Sequence, residues 1–266
     1  MPIKSKHIWI SATGLIIFAF LLSQDFLARL AWQKYYNPRI ALDLISQDAD
    51  LAIRLGNYYF NGGAYDLTKA TKAYKKALKA KPGILWGHYQ LARIYFVKGE
   101  NNPALEEINK ELEANPENLR ALYVRGLIYG YRGFSGDLEL AENDFRRFVS
   151  WAPSEWAGYN DLAWILERLR DYKEAELVIE QAFEKIAGAD ENPWLWNSLG
   201  VARLNLKEYE LAASAFTKAL ELANLLTPEK WQKSYPGNGP QFAESGLSSF
   251  RQAIEENLKR SMGGEF

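Results

Sequence analysis

The chain of 266 residues carries 32 lysines and arginines against 33 acidic residues, a formal charge of −1. That balance gives no support to a nucleic-acid-binding face, which would be basic and clustered. Cysteine is absent, so disulfide staples, a thiolate nucleophile and zinc–thiolate centres are all excluded.

Lys4 and Lys6 precede residues 8–22, which are apolar apart from Ser11, Thr13 and Gly14. As a helix that run rises about 22 Å, short of a ~30 Å hydrocarbon core. Phe26, Leu27, Leu30 and Ala31 extend it past Ser23, Gln24 and Asp25. The expectation is an uncleaved single-pass anchor through residues 8–32, with Asp25 and Trp32 at one interface and Trp9 at the other. A cleaved signal peptide is the alternative, although no small-x-small cleavage site follows Leu22. Cations flank the run on both sides, and Asp25 tilts the reading towards repeats outside the cytoplasm. Residues 26–36 read as an amphipathic helix that continues the span or rests on a membrane surface. Asn37-Pro38 marks the hinge into the next region, which gives an anchor at 1–36, a body at 37–226 and a tail at 227–266.

Along the body, Ala70, Ala104, Ala141, Ala175 and Ala212 are each followed four residues later by a large apolar side chain: Tyr74, Ile108, Phe145, Ile179 and Phe216. Upstream of each lies a small residue: Gly56, Ala92, Gly126, Ala163 and Gly200. Two helices packed as a hairpin approach closely at one point, and overfilling it costs ~1–3 kcal/mol. Gly126 and Ala141 are such a pair, with Tyr129 and Phe145 filling the space beside them. Pro82, Pro116 and Pro153 fit the break after the second helix. A single hairpin leaves an apolar face exposed, so units stack and share a core.

This small–aromatic–Ala–aromatic–Pro pattern resembles the tetratricopeptide repeat over residues 48–224, roughly two thirds of the chain. The unit with Leu91-Ala92, Tyr95, Ala104 and Pro116 is near consensus, whereas Gly133-Phe134-Ser135-Gly136 lengthens the turn of the next. The fold expected is all-α: an α-solenoid of about five helix hairpins, with the N-terminal transmembrane helix and a C-terminal capping helix. Thr227-Pro228-Glu229 opens a short helix carrying Trp231. Leu247, Phe250, Ile254 and Leu258 recur at helical spacing in the closing helix, which covers the end of the last hairpin; an independent docking helix is the alternative.

In tetratricopeptide repeats the first helices of successive units line a concave groove. Projected onto this chain, the resemblance implies a partner-binding groove of Trp86, Tyr89 and Arg93, then Arg120, Tyr123, Leu127 and Tyr131. Asn160, Trp164 and Arg168 follow, and then Asn197 with Val201. The alternative is that half of these aromatics pack between hairpins. A carboxylate clamp is mostly missing: Asn57 and Arg120 fit it, but Ile53, Gln90 and Val124 do not.

No glycine-rich phosphate loop, nucleophile elbow or metal-spaced cluster is present. His88 reads as a packing residue, and Glu106-Glu107 and Glu255-Glu256 as solvated surface. The expectation is therefore no catalytic residues, no metal and no cofactor. The function expected is a membrane-anchored scaffold that holds a partner protein or extended peptide and supports assembly of a membrane or envelope complex. The alternative is a structural subunit held through its convex face or closing helix, for which a homo-oligomer is allowed; a regulatory module of a membrane enzyme is a third reading.

Overall fold

Polar residues at the heads of the helices set where they begin. Asn37, Asp48, Asp66, Asn118, Asp171 and Asn192 each accept from a backbone N–H two or three residues on. These bonds occupy amides that a first helical turn leaves unpaired. The computed structural model describes residues 24–61, 64–234 and 239–263. Every regular element among those residues is helical. They divide into one unit ending at Gln90 and a second beginning at Leu91.

The first unit holds α1 (24–33), α2 (Pro38–Leu44), α3 (Ala49–Phe60) and α4 (Leu67–Ala80). α3 and α4 pair as a hairpin, and the small residue decides how closely. A Cβ on Gly56 would lie 2.4 Å from Tyr74 Cε1, so only glycine admits the fully buried tyrosine. Tyr74 then donates its hydroxyl to Asn57 Oδ1 at 2.7 Å. The asparagine that fits a carboxylate clamp is thus engaged in packing.

Asp25 and the segment after it depart from the sequence reading. Asp25, expected at a membrane interface, is buried and accepts from Ser46 N at 2.6 Å and Gln47 N at 2.9 Å. Ala28 and Ala31 of α1 are also buried, while Phe26 and Leu27 stay 66% and 46% exposed. α1 therefore turns its small residues and its carboxylate inward, to the turn after α2. Among the described residues no helix is long and apolar enough to cross a membrane. The expected single-pass anchor through residues 8–32, the transmembrane helix of the fold and the extracytoplasmic placement of the repeats are corrected accordingly. The apolar run at 8–22 lies outside the described residues.

α5 (Gly87–Val97) carries the boundary between the units. The second unit continues with α6 (Asn101–Ala114), α7 (Leu119–Arg132), α8 (Asp137–Trp151), α9 (Trp156–Arg168), α10 (Tyr172–Lys185), α11 (Pro193–Asn205) and α12 (Tyr209–Asn224). Each of these packs on the next in chain order from α6 to α12. The small–aromatic rule recurs, since a Cβ on Gly126 would fall 2.9 Å from Phe145 Cε1 and one on Gly200 2.5 Å from Phe216 Cε1. Ala141 is fully buried as expected, but the space over Gly126 is taken by the Phe145 ring rather than flanked by it.

The long turn after α7 is held by charge. Gly133 and Gly136 adopt positive φ of 64° and 81°, a region glycine enters without penalty. Across this turn Asp137, the first residue of α8, accepts from Arg132 Nε at 2.8 Å and Nη2 at 2.7 Å, and from Phe134 N at 2.9 Å. The hydrogen-bonded guanidinium holds the Asp137 carboxyl below its usual range. The chain then ends in α13 (Pro228–Ser234) and α14 (Ala243–Gly263). α14 packs on α12: Ile254 is buried in one cluster with Leu204, Phe216 and Ala223, and Phe250 and Leu258 close over it. Arg251 donates to the carbonyls of Ala223 at 3.1 Å and Leu226 at 3.0 Å, satisfying acceptors that the end of α12 leaves open.

Candidate functional site

α7, α9 and α11 each turn one helical stripe towards a groove of about 710 Å³ within the second unit. Leu127 and Tyr131 come from α7, and Asn160, Asp161, Trp164 and Glu167 from α9. Trp194, Asn197, Ser198 and Val201 come from α11. Spacings of three, four and seven residues place side chains on one helix face, which is why these stripes line a common wall. Phe96 and Val97 from the end of α5, with Gly99 and Asn101, complete the lining.

Aromatic rings build one wall. Phe96 meets Tyr131 edge-on at 5.4 Å, and Tyr131 meets Trp164 at 5.0 Å. Trp164 sits where it does because Gly130 has no side chain: a Cβ there would fall 2.6 Å from Trp164 Cζ3. Trp194 stacks with Trp156 at 5.3 Å and with Phe250 at 5.2 Å. Such stacking fixes large rings at little further entropic cost.

The floor is polar and largely satisfied. Tyr123 Oη donates to Asp161 Oδ2 at 2.6 Å, Asn160 Nδ2 to Asp161 Oδ1 at 3.3 Å, and Ser198 Oγ to Asn160 Oδ1 at 2.9 Å. Two acceptors in the wall are different. Glu167 Oε1 and Asn197 Oδ1 are both shielded from solvent without a hydrogen-bond partner. Burial pushes the Glu167 carboxyl up to about 8, the response of an acid removed from water without a compensating charge. Among the described residues that line the groove, Asp161 and Glu167 are acidic and none is lysine, arginine or histidine.

Of the residues projected from the sequence, Leu127, Tyr131, Asn160, Trp164, Asn197 and Val201 are brought together here. Tyr123 is instead buried against Phe148 at 4.8 Å and reaches the site only through its hydroxyl on Asp161. Arg168 lies over the Trp164 ring at 5.4 Å and donates to the Gly130 carbonyl, outside the lining. Arg120 is exposed on the first turn of α7, and Arg93, half-buried on α5, is not among the lining residues. Trp86 and Tyr89 belong to the first unit, where their rings meet edge-on at 5.4 Å. The projection missed Phe96, Asp161, Glu167, Trp194 and Ser198. Extending the α9 stripe by one turn from Asn160 and Trp164 reaches Glu167, and one turn back from Asn197 reaches Trp194. Among the described residues no cluster of acidic or histidine side chains is built to hold a metal ion.

Family models for the tetratricopeptide repeat match residues 132–191 and 195–224. The chain is 24% identical over 195 residues to the BBSome complex member BBS4 of Bos taurus, covering 73% of this chain and 35% of that protein. It is 38% identical over 77 residues to a TPR repeat-containing protein of Methanocaldococcus jannaschii, covering 29% of this chain and 13% of that protein. A third match, 30% identical over 120 residues, is to the Arabidopsis thaliana peptidyl-prolyl cis-trans isomerase PASTICCINO1, and covers 40% of this chain and 18% of that protein. The chain thus spans about a third or less of the length of these relatives. Among solved structures, MamA protein is similar with a TM-score of 0.55 at 20% identity, covering 66% of this chain and 92% of that one. A thermophilic TPR protein of Thermus thermophilus gives 0.54 at 20%, covering 76% and 98%. YrrB, described as a TPR protein with an unusual peptide-binding site, gives 0.55 at 20%, covering 66% and 87%. At these identities the likeness speaks for the fold alone. The matched models, the paired helices and the glycine-seated aromatics agree: residues 132–191 and 195–224 carry tetratricopeptide repeats, within a second unit of successively packed helices.

Proposed function

We propose that this protein is a non-catalytic scaffold that holds an extended segment of a partner protein in the groove of α7, α9 and α11. The observation that carries this reading is the aromatic pair Tyr131 and Trp164 in a groove of about 710 Å³ whose lining also includes Asn160, Asn197 and Ser198. Anchored aromatics supply contact area at low entropic cost, and a few polar side chains in the lining supply orientation, which together suit a peptide rather than a flat surface. Tetratricopeptide repeats are typically protein-interaction scaffolds, and YrrB is described as having a peptide-binding site; both support the reading. The isomerase name belongs to a relative of which this chain spans 18%. A role in a membrane or envelope complex rested on the N-terminal anchor and is not carried forward. Attachment through the closing helix draws less support, because Leu247 and Ile254 of α14 are spent on burial.

The test is a random dodecapeptide array probed with the full chain and with a Trp164→Ala, Asn197→Ala double variant. Peptides whose binding falls at least ten-fold in the folded double variant support the groove. Peptides held equally by both proteins, or no binding at all, overturn it.

A further inference from the structure

We infer that Phe250 of the closing helix α14 is a positioning residue of the groove: it fixes the Trp194 ring, and through that ring the α11 wall on which a partner segment is held. This rests on the groove being the binding site and adds what sets its shape.

Trp194 lines the groove and is half-buried. It is the second residue of α11, so its own helix offers no preceding turn to restrict the side chain. Inside a helix, contact with that turn is what removes a rotamer. The orientation of Trp194 is therefore set by its tertiary neighbours. One is Trp156, 5.3 Å away and itself the first residue of α9, with the same freedom. The other is Phe250, whose ring lies 5.2 Å away and 13° from parallel. Phe250 sits well past the first turn of α14 and does not line the groove. Of the three rings it is the one that its own helix constrains.

Contacts on both sides of Phe250 fix α14 in turn. Arg251 donates to the carbonyls of Ala223 at 3.1 Å and Leu226 at 3.0 Å. Ile254 is fully buried in one cluster with Phe216, Ala219 and Ala223 of α12. Towards the start of the helix, the Trp231 ring of α13 takes the space that a side chain on Gly246 would need. The cluster that holds Ile254 also supports Val201, a second lining residue of α11. Both ends of the α11 stripe, Trp194 and Val201, thus lean on packing to which α14 contributes. A segment held on Trp194 then favours the docked helix, and by reciprocity the docked helix favours the segment.

The experiment uses the full chain and the groove-dependent dodecapeptides, those weakened by Trp164→Ala, Asn197→Ala. Affinities are measured for the parent, Phe250→Leu, Phe250→Tyr, Trp194→Leu and the Trp194→Leu, Phe250→Leu double variant, each checked by thermal melting. Loss of one aromatic pair corresponds to roughly three- to ten-fold in an equilibrium constant. Phe250→Leu is expected to weaken binding by that factor, and Phe250→Tyr, which keeps the ring, to bind as the parent does. Because Phe250 acts through Trp194, the double variant should bind no more weakly than Trp194→Leu alone. A merely structural role predicts losses that multiply. Should Phe250→Leu lose its cooperative melt, hydrogen exchange in the parent decides, and a bound peptide should slow the α14 amides around Phe250. Groove-dependent peptides that bind Phe250→Leu as tightly as the parent, losses that multiply, or unslowed α14 exchange in that last case overturn the role of Phe250 and leave the groove standing. If no peptide is groove-dependent, both are overturned.

Discussion

Tyr123 on α7 donates its hydroxyl to Asp161 Oδ2 on α9 at 2.6 Å, across 38 positions of sequence and out of contact with bulk water. The bond ties two successive first helices together beneath the groove, so Tyr123 supports the site from below instead of facing a ligand.

Tyr123→Phe keeps the ring and removes that donor from a buried carboxylate. Hydrogen bonds to charged groups contribute ~1.5–3 kcal/mol, and a loss of that size in urea unfolding is expected. An unchanged midpoint would mean that the hydroxyl contributes nothing to the pairing of α7 with α9.

Glycines test the packing rule. Gly56→Ala forces a methyl to within 2.4 Å of Tyr74, whereas Gly83 has nothing within 4 Å of its missing Cβ. Gly56→Ala is expected to destabilise by ~1–3 kcal/mol, and Gly83→Ala to stay within ~0.5 kcal/mol of the parent. Equal melting temperatures for the two variants would contradict the seating of Tyr74 on Gly56.

Glu167 makes stability depend on pH. Its folded pKa of about 8 exceeds the ordinary 4.5, so the folded chain binds more protons than the unfolded chain between those values. Stability from this group is therefore full below pH 4.5 and is lost as pH rises through 8. Glu167→Gln should match the parent at about pH 4 and be more stable at about pH 9, by on the order of 2–4 kcal/mol. Parallel melting curves against pH would refute the buried, uncompensated acid.

Asp25 tests the place of α1. Asp25→Ala leaves the Ser46 and Gln47 amides without their acceptor and should cost ~1–3 kcal/mol. Hydrogen exchange should quicken at those two amides in particular. Unaltered protection would show that α1 does not hold the turn after α2.

The repeat was legible because its signature is local. Alanine with a large apolar residue four on, and a small residue upstream, are spacings within one or two helices, and they specified the hairpins outright. Tyr131, Asn160, Trp164 and Asn197, projected from the repeat resemblance, do line one groove, because they sit in phase on α7, α9 and α11. The corrected N-terminal reading shows where the locality fails. Hydropathy treats Asp25 as a polar break in an apolar run, but Ser46 and Gln47, 21 and 22 positions later, supply its partners.

Composition and spacing by themselves determined an all-helical repeat body, since periodicity is written in neighbours three and four residues apart. Only the tertiary structure decided that Phe145 fills the space over Gly126, that Tyr123 serves Asp161, and that Glu167 Oε1 and Asn197 Oδ1 are buried without a hydrogen-bond partner. Those facts depend on which side chains meet across separate helices, and a carboxylate's partners, or its want of them, are set by that meeting and not by the residues beside it in the chain.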